Sequence, residues 1–149
     1  MFFRIVKSVA KGLVAGVVGT GALTLATMVE AKARGKEESN APAEAAEKML
    51  GFEPSNPQQE KALNNIVHWG YGTALGAGRG ALGAMGLEGP GATVLFFGAV
   101  WGSALAMQPV LGIAPPPQKW ATKELAVDAV RHGIYAGTVS ATYEMLDRS

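Results

Sequence analysis

Two stretches of this chain carry no ionisable side chain, and their length limits the fold more than any other feature. Gly12 to Val29 runs 18 positions without a charge, and Gly91 to Ala114 runs 24. Crossing the hydrocarbon core of a bilayer takes about 20 apolar residues as a helix. A backbone in lipid must satisfy its own hydrogen bonds, which a helix does within one segment. Two further segments, Ile66 to Leu87 and Leu125 to Leu146, are of similar length but hold charges inside them. The expected fold is all-α: an integral membrane four-helix bundle forming one domain over residues 1–149. Its spans are expected at about 12–29, 66–87, 91–113 and 125–146, with a polar loop, 30–65, that carries a short helix.

Composition agrees with close packing in a bilayer. Only 17% of residues are charged, and 20 are glycine, against about 25% charged and about 7% glycine in soluble domains. Small residues let membrane helices approach closely. The net charge is +1, and no Lys/Arg run tracks a phosphate backbone, so nucleic acid is not an expected partner. The absence of cysteine removes disulfides, thiolate nucleophiles and cysteine metal sites. With His68 and His132 as the only histidines, no metal or other cofactor is implied.

The opening segment has Arg4, Lys7 and Lys11 before its apolar run, and Ala31-Lys32-Ala33 offers small residues two apart, as a cleavable signal would. The apolar run is long for a signal, so an uncleaved first helix is expected. The polar loop then carries Lys32, Arg34, Lys36, Lys48 and Lys61 against Glu30, Glu37, Glu38, Glu44, Glu47, Glu53 and Glu60. Asn40, Pro42 and the run to Leu50 predict a short helix stopped by Gly51. Its Met49 and Leu50, with Phe52, give it an apolar end for a membrane surface. Asn56, Pro57 and Gln59 predict a second start, with Asn as cap, Pro at the first helical position and Gln three residues on. The second membrane helix therefore begins near Pro57, outside the bilayer.

Glu88-Gly89-Pro90 reads as a tight turn, which makes spans two and three antiparallel neighbours. Pro115, Pro116 and Pro117 close the third span, and Thr122 can cap the last helix with Glu124 in its first turn. Trp69 and Trp120 fall where interfacial anchors belong; Trp101 sits mid-span and reads as packing. Arg4, Lys7, Lys11 and Arg148 share one side, with Lys32, Arg34, Lys36, Lys48, Lys61, Lys119 and Lys123 on the other. The first helix is flanked evenly, so orientation stays open.

Gly72, Gly76 and Gly80 recur every four residues in the second span, and Gly12 and Gly16 repeat the pattern in the first. Such seams serve a homodimer or packing within the bundle; four helices in one chain already supply partners. Gly78, Gly80 and Gly83 match a dinucleotide fingerprint, but inside a helical run with no strand before it. Arg79 is the most informative residue. A charge at the bilayer centre costs at least about 3 kcal/mol, so it needs a partner, a watery cavity or a route to the headgroups. Spans two and four run in the same direction, and Glu144 sits near the matching end of the fourth, on a face with Gly133, Gly137 and Ser140. An Arg79–Glu144 pair is the expected solution. Toward the other boundary lie His68 on span two and Asp128, Arg131 and His132 on span four. Asp128 and His132 share a helix face with Tyr135, and His68 shares one with Arg79. If those faces meet, a polar line crosses the bilayer; otherwise the first cluster is an interfacial collar.

Pro109-Val-Leu-Gly112-Ile-Ala-Pro115-Pro116, then a Trp, then His132-Gly-Ile-Tyr135 leading to Tyr143-Glu144, resembles the YagU-like family of bacterial inner-membrane proteins. The likeness is strongest over residues 109–146 and extends to Gly12–Thr20 and His68. The long Glu/Lys-rich first loop and the dense glycine of span two depart from it. The resemblance implies a multi-pass protein of the bacterial inner (cytoplasmic) membrane, with a link to acid tolerance, and assigns no catalytic residue.

The favoured expectation is a structural or accessory membrane subunit, packing through glycine-rich faces against itself or a larger complex. The alternative is a small transporter, channel or proton-handling protein using the Arg/Glu/His line. An intramembrane enzyme finds no nucleophile–base pair.

Overall fold

The start and stop signals in the loops set the helices. The computed structural model describes residues 1–35, 37 and 39–148; Lys36 and Glu38, counted among the loop charges above, lie outside them. Among the described residues the chain is all-helical: α1 (Phe2–Arg34), α2 (Ala41–Leu50), α3 (Pro57–Ala84), α4 (Gly89–Val110) and α5 (Thr122–Arg148), with a 3-10 turn over Pro117–Lys119. Asn56 caps α3 by accepting from the Gln59 N–H at 2.9 Å, and the Gln59 side chain accepts from the Ser55 N–H at 2.9 Å. Asn40 precedes α2 but does not cap it through its side chain, which donates to Glu60 at 2.8 Å. Thr122 is the first residue of α5, not its cap. The Ala121 carbonyl accepts the first bonds, from Glu124 and Leu125.

Two helices, α1 with 33 residues and α4 with 22, are long and apolar enough to cross a membrane. α3 and α5 have 28 and 27 residues, ample length for a crossing, but they carry charge at both ends. Hydropathy alone therefore does not extend to all four.

α1 packs antiparallel against α3 and α5, while α4 lies mainly on α5 and α2 rests on α3. Contacts at both ends fix these directions. Arg4 Nη2 donates to the Ala84 carbonyl at 3.0 Å, Lys11 meets Asp147 at 3.0 Å, and Glu30 meets Arg131 at 2.6 Å. The buried core is Ala15, Phe96, Val100, Tyr135, Ala136, Val139 and Tyr143.

The α1–α3 seam explains the glycine spacing. A Cβ at Gly16 would fall 2.6 Å from the Thr73 carbonyl oxygen, and one at Gly76 would fall 2.5 Å from Gly16 Cα and strike the Gly12 carbonyl. Gly80 lies on Ser8, and Gly72 on the Thr20 side chain. Gly12, Gly16, Gly72, Gly76 and Gly80 are thus used inside the chain, where two backbones touch. Gly133 and Gly137 differ: among the described residues a Cβ at Gly133 would meet only Phe97, at 3.9 Å, and one at Gly137 would meet nothing within 4 Å. Helix α5 therefore makes no comparable backbone approach at those two positions, because bulky Tyr135, Val139 and Tyr143 occupy its inner face.

Candidate functional site

Arg79 projects from α3 and is fully buried at 0% exposure. A buried guanidinium needs acceptors for its N–H groups and a compensating charge. Ser140 Oγ accepts from Nε at 3.3 Å, Glu144 Oε1 accepts from Nη2 at 3.1 Å, and the Leu87 carbonyl lies 3.5 Å from Nη1. The guanidinium carbon stands 4.6 Å over the Tyr143 ring, within cation–π range. Gly83 leaves room for that ring, since a Cβ there would collide with the Tyr143 hydroxyl.

Glu144 holds more than Arg79. Its Oε1 also accepts from the Gly89 N–H at 3.1 Å, at the first residue of α4, where a carboxylate suits the helix dipole. Arg148 lies 3.7 Å from its other oxygen. An open cleft of about 330 Å³, lined by Glu88, Gly89, Tyr143, Glu144, Asp147 and Arg148, brings solvent to this end. One carboxylate thereby joins α3, α4 and α5.

Register against α1 places this group along the bundle. Gly80, beside Arg79, sits so close to Ser8 and Val9 that a Cβ would fall 2.9 Å from Val9 Cα. Arg79 is therefore level with the Lys11–Asp147 pair, at one end of the charge-free stretch and not midway along it. The sequence of α3 alone does not show this level, because interhelical register is invisible in one helix's own sequence.

The opposite end holds a second ionic group. Arg131 grips Glu30 with two bonds, Nε at 2.6 Å and Nη2 at 2.9 Å. Arg34 adds a bond to Glu30 at 2.8 Å and reaches Glu124 at 2.5 Å. Arg131, followed by Arg34, holds the Glu30 carboxyl below its ordinary range against the opposing effect of burial, and Glu124 then Glu30 raise the Arg34 guanidinium. Asp128 accepts from the Trp101 indole at 2.9 Å, and His132 Nδ1 lies 2.8 Å from the Asp128 carbonyl oxygen. Trp101 also stacks on Phe97 at 5.4 Å, so it packs as expected and adds the bond to Asp128. His68 Nε2 is 3.0 Å from Thr24 Oγ1 and forms an edge-on pair with Trp69. Trp120 donates to the Pro115 carbonyl at 2.7 Å, closing the proline loop.

Between the two ends lies an apolar layer. Ala15, Ala136 and Val139 are 0% exposed, and Phe96 and Val100 no more than 5%. The hydroxyls bordering it are turned onto backbone: Thr20 donates to the Gly16 carbonyl at 2.7 Å and Tyr135 to the Gly72 carbonyl at 2.5 Å. The His68 and Arg79 groups therefore stand on either side of packed side chains. Among the described residues, every buried side-chain nitrogen and oxygen has a partner, and no three His, Asp or Glu side chains gather as metal ligands.

The outer face of α4 is the remaining feature. Among the described residues, Gly91, Gly98 and Gly102 have nothing within 4 Å of where a Cβ would stand. Beside them Val94 is 67% exposed, Leu95 56% and Val110 84%, and Ala99, Ser103 and Ala106 are also exposed. Sequence reading overlooked this stripe because the glycines of α3 were denser, although Gly98 and Gly102 have the same four-residue spacing. Comparison of the chain with protein-family models, with curated proteins and with solved structures found no match in any of the three.

Proposed function

We propose that the chain is a four-span integral membrane protein whose role is structural: an accessory subunit that offers the outer face of α4 to another transmembrane helix. The observation that carries this reading is the contrast between two glycine stripes. Those of α1 and α3 are consumed inside the chain, whereas Gly98, Gly102 and Ala106 face outward on an apolar helix covered on one side only. In lipid, such small-residue spacing is what lets two helices dock closely.

The ionic groups support the membrane reading. Lys11 and Glu30 each pair with α5 and stand 19 residues apart on one continuous helix, about 28 Å at 1.5 Å per residue. The hydrocarbon core is about 30 Å thick. Between these levels the surface is built from residues such as Val14, Val17, Val18, Leu25 and Ile66, all exposed. The charge that α3 and α5 carry falls at the two ends, with Arg79 buried. The apolar layer favours this role over conduction, since a proton or ion path needs polar groups or water across it. In bacteria, the resemblance over residues 109–146 would place the chain in the inner membrane.

The test is cross-linking of the protein in native membranes, followed by mild-detergent purification and mass spectrometry. A Gly98→Leu/Gly102→Leu variant is expected to lose the cross-linked partner, or its own dimer, while remaining folded. A lone monomer from both proteins would contradict the accessory role.

A further inference from the structure

The short helix α2 has one face committed and one end bare. Ala43, Ala45 and Ala46 are buried at 8% exposure or less, which fixes how the helix is rolled. At its other end Met49 is 67% exposed, Leu50 75% and Phe52 52%, beside an exposed Lys48. Three large apolar side chains within four residues, left open by a helix docked through its alanines, imply that something apolar receives them.

Register shows what lies beside them. The Ala43 N–H donates to Asn64 Oδ1 at 3.1 Å, and the Asn64 amide donates to the Ser39 carbonyl at 3.3 Å. Asn64 stands one turn before His68, which faces Thr24 at 3.0 Å. The start of α2 is therefore about 6 Å nearer the loop end than Thr24, and Glu30 about 9 Å nearer. The two agree within a turn, so α2 begins at the level of the Glu30–Arg131–Arg34 group. Leu50 follows Ala43 by seven residues, about 10 Å of helix, so the apolar tip lies no more than about that distance from this level. On the membrane reading above, on which this inference rests, that level is the boundary between acyl chains and headgroups.

We infer that α2 is an interfacial anchor: Met49, Leu50 and Phe52 seat in a lipid surface at the loop end, with the Lys48 head among the headgroups. Amphipathic helices bind bilayers in this way, apolar side chains at the acyl boundary and basic ones in the headgroup layer. The tip then braces the polar loop against the membrane while the alanine face holds it to α3.

The absence of cysteine makes the test direct. Spin labels are attached to Leu50→Cys and, separately, to Val18→Cys on the outside of α1, in the full chain reconstituted into phosphatidylcholine/phosphatidylglycerol vesicles. Collision with oxygen, which enriches in lipid, is compared with collision with a water-soluble nickel chelate. The label at 50 is expected to favour oxygen several-fold, at a shallower depth than the label at 18. If 18 reads as lipid and 50 as water, the anchor is overturned and the membrane reading stands. If 50 is shielded from both reagents, protein covers the tip and the anchor is likewise overturned. A water reading at 18 overturns the membrane placement and the anchor with it.

Discussion

Arg79 and Glu144 are unequal partners, and the inequality can be measured. Without Glu144, Arg79 keeps, among the described residues, only Ser140, the distant Leu87 carbonyl and the Tyr143 ring while remaining fully buried. Without Arg79, Glu144 still has the Gly89 N–H, Arg148 and partial exposure. Stranding a buried charge costs about 3–5 kcal/mol. Glu144→Leu is therefore expected to destabilise by that much in detergent unfolding, and Arg79→Met by about 2 kcal/mol less. The reverse order would show that Glu144 is the more dependent member. At the other end, Glu30 titrates below the usual 4.5 because Arg131 and Arg34 bind its ionised form. Its contribution to stability is complete above that pH and falls away as acid protonates the folded carboxylate. Wild-type stability is expected to decline below about pH 4.5 more steeply than that of Glu30→Gln, read as melting temperature against pH. That Arg79 and Glu144 meet could be reasoned from helix rise, because α3 and α5 run in the same direction. Trp101 donating to Asp128 could not, because the offset between α4 and α5 is set by side-chain packing that neither sequence displays alone.

Each helix uses glycine differently, and only the spacing is written in the sequence. Gly76 lies against the backbone of Gly12 and Gly16, where no side chain can yield. Gly76→Leu is expected to cost at least about 2 kcal/mol of fold stability, since overpacking of this kind typically costs 1–3. Gly98 faces open space, and Gly98→Leu should leave stability within about 0.5 kcal/mol of wild type while weakening any cross-link through α4. Unfolding and cross-linking measured on the same two variants separate an internal seam from an external one. Equal destabilisation by both would mean that the Gly98 face of α4 is packed within the chain. Helix starts were legible where side-chain chemistry is local, as at Asn56 and Gln59. The cap of α5 was not: Thr122 has a capping side chain, yet the chain arriving from the proline loop makes it the first helical residue.

Whole-molecule placement rests on relations between helices. Hydropathy identifies α1 and α4 as long and apolar enough to cross a membrane; the packing of α3 and α5 against α1, with contacts from Arg4 to Arg34, extends the proposal to four. The two counts give different topologies, which single cysteines can tell apart. With Phe3→Cys, Glu53→Cys, Glu88→Cys and Gln118→Cys made one at a time, labelling by an impermeant maleimide is compared between right-side-out and inverted vesicles. Four spans predict that positions 3 and 88 label from one side and positions 53 and 118 from the other. Position 88 labelling from the same side as 53, with 118 joining 3, would mean that only α1 and α4 cross, contradicting the four-span account.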